Sequence, residues 1–170
     1  MTSREYKRIQ GSTKEILDRY TSEYPVKLGQ LAKELEASVK ISSMNTGVSG
    51  QIMREDSHYL IRVNRHEARE RQRFTIAHEL AHLILHKSVI DSSPDGIKDN
   101  VLYRSGAPER IEYEANRLAA DIVMPMALVE KVLREEFDGV VTEATIESLA
   151  ARFQVSKVAM EIRLSTFAEA

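Results

Sequence analysis

Two histidines and a glutamate, His78, Glu79 and His82, stand in the spacing His-Glu-x-x-His. On an α-helix that spacing puts two imidazoles one turn apart on a common face, with a carboxylate beside the first. With His78 at zero, His82 falls at about 40° and Glu79 at about 100° around the axis. Both rings can reach one metal ion while Glu79 stands at its rim, close enough to hold a water. The remaining faces carry Ile76, Ala77, Leu80, Ala81, Leu83 and Ile84. A helix that is apolar nearly all round is a buried central helix. Burying two histidines and a glutamate on it costs desolvation, and a metal offsets that directly. A lone pair of histidines is more often a structural detail; here the apolar helical setting points to metal binding.

A hydrolytic zinc site uses three protein ligands and one open position for water. The segment 109–116, reading ERIEYEAN, offers three carboxylates. With Ile111 at zero, the apolar residues Ala115, Leu118, Ala119 and Ile122 centre at about 40°; Glu112 lies about 60° from that centre and Glu114 about 100° away on the other side. Phase therefore favours Glu112 as third ligand over Glu114. For either, the ordinary alternative is a surface glutamate. Asn116, one turn beyond Glu112, suits a supporting hydrogen bond. A third histidine ligand of the extended zincin pattern would fall at position 88, which is Ser88. His86, four residues after His82, reads instead as a supporting or packing histidine.

The elements that must position these residues follow from periodicity. A helix is expected over about 3–21, with Ile9, Ile16, Leu17 and Tyr20 at helical spacing, then a second over about 27–37. Val39 and Ile41 alternate with polar residues, predicting a strand. Asn45-Thr46-Gly47 signals a turn, and two more strands are expected at about 48–55 and 58–64. This small sheet leads into the motif helix, expected to begin near Glu67. Five arginines (Arg62, Arg65, Arg69, Arg71, Arg73) crowd its entrance, and a solvated face accounts for them better than a steering lip. The stretch 88–108 reads as a long loop, with a short strand conceivable at 101–103. Further helices are expected at about 109–123, 126–136, 143–152 and 157–168, with Ser156 as an N-cap for the last.

The 170 residues fit one domain, an α+β fold, mostly helical, with a three-stranded sheet. Residues of about 1–140 form the core of the fold and those of about 141–170 a C-terminal helical pair. Apolar residues make up 42% and charged residues 29%, the balance of a soluble globular protein. Net charge is −2, so the whole molecule offers no electrostatic case for nucleic acid or membrane surfaces. No cysteine is present, which leaves His and carboxylate as metal ligands and suits zinc, manganese or iron. The first residues lack the apolar core of a signal peptide and no run approaches a membrane span, so a cytoplasmic protein is expected.

Residues 73–86, RFTIAHELAHLILH, and 112–125, EYEANRLAADIVMP, resemble the ImmA/IrrE family of zinc metallopeptidases. The second motif, ending in Met124-Pro125, is far more specific than the first, and the tail from Leu149 to Leu164 is also similar. The resemblance covers residues 58–165. It implies a minimal cytoplasmic endopeptidase of gluzincin type. By motif position His78 and His82 match the zinc histidines, Glu79 the catalytic glutamate and Glu112 the third ligand. Family members cleave helix-turn-helix repressors often encoded alongside them, releasing stress or mobile-element genes. Ala81 replaces a common glycine and Leu118 a frequent phenylalanine, both small apolar changes.

The chemistry expected is metal-assisted peptide hydrolysis, with Glu79 moving the proton of water to the leaving amine. Tyr103, Tyr113 and Arg104 are candidates to stabilise the oxyanion. A competing reading is a regulatory binding module with a structural metal, because residues 149–164 outline helix, turn and helix. Charge weighs against DNA contact: residues 143–169 carry Arg152, Lys157 and Arg163 against Glu143, Glu147, Glu161 and Glu169.

Overall fold

The computed structural model describes residues 2–100 and 109–168. Its sheet has four strands in the order β1-β3-β2-β4: β1 (Ala37–Ser42), β2 (Val48–Glu55), β3 (His58–Asn64) and β4 (Ile97–Asn100). The strands β1 and β3 are parallel, while β2 runs antiparallel to both β3 and β4. Alternation located the first three strands. The fourth is a correction to the three-stranded expectation. Only Ile97 of its four residues is a buried apolar side chain, so no alternating pattern marks it; pairing with β2 makes it a strand. The strand conceived at 101–103 lies outside the described residues.

The N-terminal helix is two. Helix α1 (Arg4–Arg8) ends at Ile9, whose backbone is extended, and α2 (Gly11–Tyr20) begins on Gly11 at φ 68°. Side-chain periodicity runs on through the break and does not register it. Next comes α3 (Leu28–Glu34), and then the motif helix α4 (Arg69–Leu85), which starts two residues later than expected. Every residue from 77 to 83 is buried, as an all-round apolar surface requires. Arg73 departs from the solvated-face reading of its cluster. It points inward, and its guanidinium donates to the Val26 carbonyl at 2.9 Å, tying α4 to the segment before α3.

Helix α4 packs under the sheet on one side and against α6 (Glu109–Val123) on the other. A short α5 (Lys87–Asp91) lies between them in sequence. Helix α7 (Met126–Phe137) is closed by Asp138 at φ 51° and Gly139 at φ 74°. Helices α8 (Glu143–Phe153) and α9 (Lys157–Ala168) form the C-terminal pair. Ser156 caps α9 as expected, its Oγ accepting from the Ala159 N–H at 3.1 Å. The core joins Ile52 and Ile61 of the sheet, Leu80 of α4, Leu118 and Ile122 of α6, Leu149 and Phe153 of α8 and Met160 of α9, all fully buried. No helix among the described residues is long and apolar enough to cross a membrane.

Helix α6 also gathers both chain ends. Asp121 accepts from the Ser3 N–H at 2.9 Å and from Arg163 at 2.8 Å, and that guanidinium donates to the Met124 carbonyl at 3.0 Å. Arg117 grips the buried Glu5 carboxylate at 3.0 and 2.7 Å. Those bonds outweigh burial and hold the Glu5 carboxyl down to about 2, from an ordinary 4.5. A carboxyl lowered by folding stabilises the fold above its unfolded pKa and loses that contribution as pH falls through the folded one. Glu5→Gln should therefore cost about 2 kcal/mol near neutral pH. Its stability should also fall less steeply than the parent's between pH 4.5 and 2, which urea melts across that range would reveal.

Candidate metal centre

The buried turns of α4 and the first turns of α6 meet at three donor side chains. His78 Nε2 and His82 Nε2 lie 3.1 Å apart. Glu112 reaches across from α6, one carboxylate oxygen 3.1 Å from His78 Nε2 and the other 3.2 Å from His82 Nε2. Donors about 2.1 Å from a common tetrahedral centre stand about 3.4 Å apart, so two imidazoles and a carboxylate at these separations fit a zinc-sized ion.

The atoms behind the triangle decide which way the lone pairs face. Asn116 Oδ1 sits 2.8 Å from His78 Nδ1, so that nitrogen donates and Nε2 turns its lone pair inward. His86 Nε2 donates to Glu114 Oε2 at 3.2 Å, which leaves His86 Nδ1 as an acceptor for His82 Nδ1–H at 2.9 Å. His82 Nε2 then also turns a lone pair inward. Arg110 completes the chain, donating to Glu114 Oε1 at 2.8 Å. Two imidazole lone pairs and a carboxylate converging within 3.2 Å repel one another unless a cation lies among them.

Electrostatics say the same. Burial disfavours charge on His78, yet the Glu112 carboxylate, with Glu79 and Asp99 near, pushes its pKa up to about 9. Burial also opposes the charge on Glu112, but its bonds to both histidines hold it well below the usual carboxylate range. His82 is pushed down by burial. The donor set and its polarity fit a divalent metal bound by two neutral imidazoles and a carboxylate.

Glu79 is fully buried, and neither carboxylate oxygen has a hydrogen-bond partner among the described residues. Burial raises its pKa well above 4.5. A carboxylate left so needs a water or a reacting group to satisfy it. The space for it is made by Gly50 on β2. A Cβ there would lie 2.5 Å from Thr75 Cγ2, 2.9 Å from the Arg62 carbonyl and 3.4 Å from Glu79 Oε1. Only glycine lets β2 cross α4 this closely.

The structure thus brings together His78, Glu79, His82 and Glu112. It corrects one detail of helical phase. Phase ranks Glu114 as the less inward of the two, but it is buried against His86, while the Glu112 side chain keeps 25% exposure at the open rim. Counting only apolar residues on α6 overlooks that the facing surface of α4 is made of histidines. Tyr113 turns to Glu109, 3.3 Å from its carboxylate, and Tyr103 and Arg104 lie outside the described residues. Sequence reasoning missed Asp99, which β4 carries to within 4.8 Å of His78 and Glu79 in donor-atom distance. It also missed Gly50. A lone Asp in a loop and a Gly inside a strand carry no signal until β4 and β2 are paired.

Known proteins agree with this architecture. The family model Peptidase_M78, described as the IrrE N-terminal-like domain, matches residues 32–165. No curated protein matches the chain. A solved Mycobacterium tuberculosis transcriptional regulator is similar in fold, with a TM-score of 0.59 and 18% identity over 94% of this chain and 48% of that one. The chain spans about half the length of that structure.

Two outcomes follow for variants. Glu112→Ala should weaken zinc binding more than about 100-fold, and Glu114→Ala only about tenfold, because it loosens His82 through His86. Competition against a chelating dye measures both, and equal losses would contradict the assignment. Gly50→Ala should cost about 1–3 kcal/mol by forcing β2 off α4, a loss readable in a denaturant melt.

Proposed function

The chain belongs to the Peptidase_M78 family, and from that premise we propose that it is a zinc-dependent endopeptidase acting on a protein substrate. The observation that carries this reading is the buried, unpartnered Glu79 carboxylate beside three convergent donors. A structural metal site is closed by a fourth protein ligand. Here the described residues supply three, and a general base stands next to the open position.

His78, His82 and Glu112 would hold the ion; zinc fits, and manganese would suit the same ligands. When bound, it supplies Lewis acidity that acidifies a water and polarises a carbonyl. The protein's own residues do the rest. Asn116 and the His86–Glu114 pair keep each imidazole in the tautomer that points Nε2 inward. Glu79, its pKa raised by burial, is poised to take a proton from the attacking water and hand it to the departing amine. Gly50 and the packed face of β2 wall the carboxylate off from bulk water.

The preferred substrate is a helix-turn-helix repressor encoded nearby, cleaved in the cytoplasm as part of a stress or mobile-element switch, as the resemblance of the two motifs implies. A fold shared with a protein described as a transcriptional regulator is in keeping with work beside gene control. The alternative, a DNA-contacting module, draws no support from α8 and α9. Their basic groups are spent internally: Arg152 on Glu136, Lys157 on Glu143 and Glu147, and Arg163 on Asp121. Phosphate binding needs cations turned outward.

Glu79→Gln keeps the side chain's size and removes its basicity. The variant should bind one zinc per chain about as tightly as the parent and lose at least about 10²–10⁴-fold in cleavage of the neighbouring repressor. A time course with metal content measured in the same samples checks this. Parental rates in Glu79→Gln would remove the glutamate from the reaction.

A further inference from the structure

Helix α6 has a second working face. Beside Asn116 it turns Arg117, Ala120 and Met124 into a groove of about 890 Å³, whose other walls are Phe74 of α4, the segment around α1, and α9. The floor is apolar, and it continues onto α9, where Val158 and Ile162 stand one turn apart with 64% and 61% exposure. Single exposed aliphatics are ordinary, but Ile162 lines the groove itself and Val158 extends the apolar surface one turn beyond it, which marks a contact surface. The lip is cationic. Arg4, Lys7 and Arg117 surround it against a single buried carboxylate, Glu5, which Arg117 holds and Arg4 also touches, so that positive charge is left over at Lys7 and Arg4. Arg163 is neutralised by Asp121 below. In a chain of net charge −2 this is a local excess of positive charge on an apolar floor. Its walls are helices, the setting in which an amphipathic helix lays its apolar face. Asn116 belongs both to this groove and to the metal centre, since its side chain orients His78 at 2.8 Å.

We propose that this groove docks a helical segment of the protein substrate that carries aliphatic side chains on one face and carboxylates beside them. The term substrate rests on the peptidase reading above; the surface and its preference do not. Binding energy gathered here, away from the reacting atoms, selects one protein among many that have cleavable bonds. The partner's aliphatic residues would meet Phe74, Met124 and Ile162, and its carboxylates the exposed Lys7 and Arg4.

The test uses a fluorescent synthetic helix with leucines at i, i+3, i+4 and i+7 and glutamates flanking them, and a second peptide with lysines in place of the glutamates. Binding is read by anisotropy on the full zinc-loaded chain carrying Glu79→Gln, so that no cleavage intervenes. The glutamate peptide should bind saturably, and Ile162→Glu and Lys7→Glu should each weaken it about tenfold. Both positions are exposed, so circular dichroism should show the fold unchanged. Absence of saturable binding, equal binding of the lysine peptide, or indifference to both substitutions would overturn the proposal. So would a dimer in sedimentation that Ile162→Glu dissociates, because the groove would then seat a second copy. The two readings fail separately. A chain that binds the glutamate peptide as expected but hydrolyses no protein loses the peptidase and keeps the groove, and the converse removes only the groove.

Discussion

Two imidazole nitrogens 3.1 Å apart, each within 3.2 Å of an oxygen of the same carboxylate, are the constraint on which this molecule turns. Left alone they repel, and burial makes the repulsion costly. Everything around them keeps them there anyway. Helix α4 is apolar on its other faces and is locked between the sheet and α6, so its histidines cannot rotate out. Helix α6 contributes the opposing carboxylate of Glu112 and, two and four residues further on, Glu114 and Asn116, which set both imidazoles, Glu114 through His86. A cation among them would resolve the conflict.

The same helix then carries the rest of the organisation. Asp121 collects the N-terminal segment and α9, and Arg117 holds Glu5 of α1. Movement of α6 would disturb at once the third donor, both supporting hydrogen bonds and both chain ends. The exposed face of α6 and the interior of the metal centre therefore lie a single side chain apart. A partner seated on the outer face would act on the helix that orients His78.

Much of this was legible in the residues. Apolar periodicity located α4 and α6, and the histidine spacing on one with the carboxylates on the other named the donors that the structure gathers. The strands β2 and β3 were evident from alternation. What stayed hidden depends on contacts distant in sequence. Strand β4 has too few residues to alternate and exists by pairing with β2. Asp99 comes near Glu79 only because of that pairing. Gly50 looks like a weak point in a strand until Thr75 and Glu79 are set beneath it. Glu114 was judged by the stripe on its own helix, whereas its burial is decided by His86 on another. Gly11 broke a helix through its backbone, which side-chain periodicity does not report.

The central claim is that the triangle of His78, His82 and Glu112 exists to hold a divalent ion with Glu79 beside its open position. Anomalous diffraction at the zinc absorption edge, from crystals of zinc-loaded protein, tests it directly. The account predicts one strong peak per chain within about 2.2 Å of His78 Nε2, His82 Nε2 and a Glu112 oxygen, with solvent density on the side of Glu79. A peak coordinated by Glu79 and Asp99 in place of Glu112, or no peak within reach of the two histidines, would contradict it.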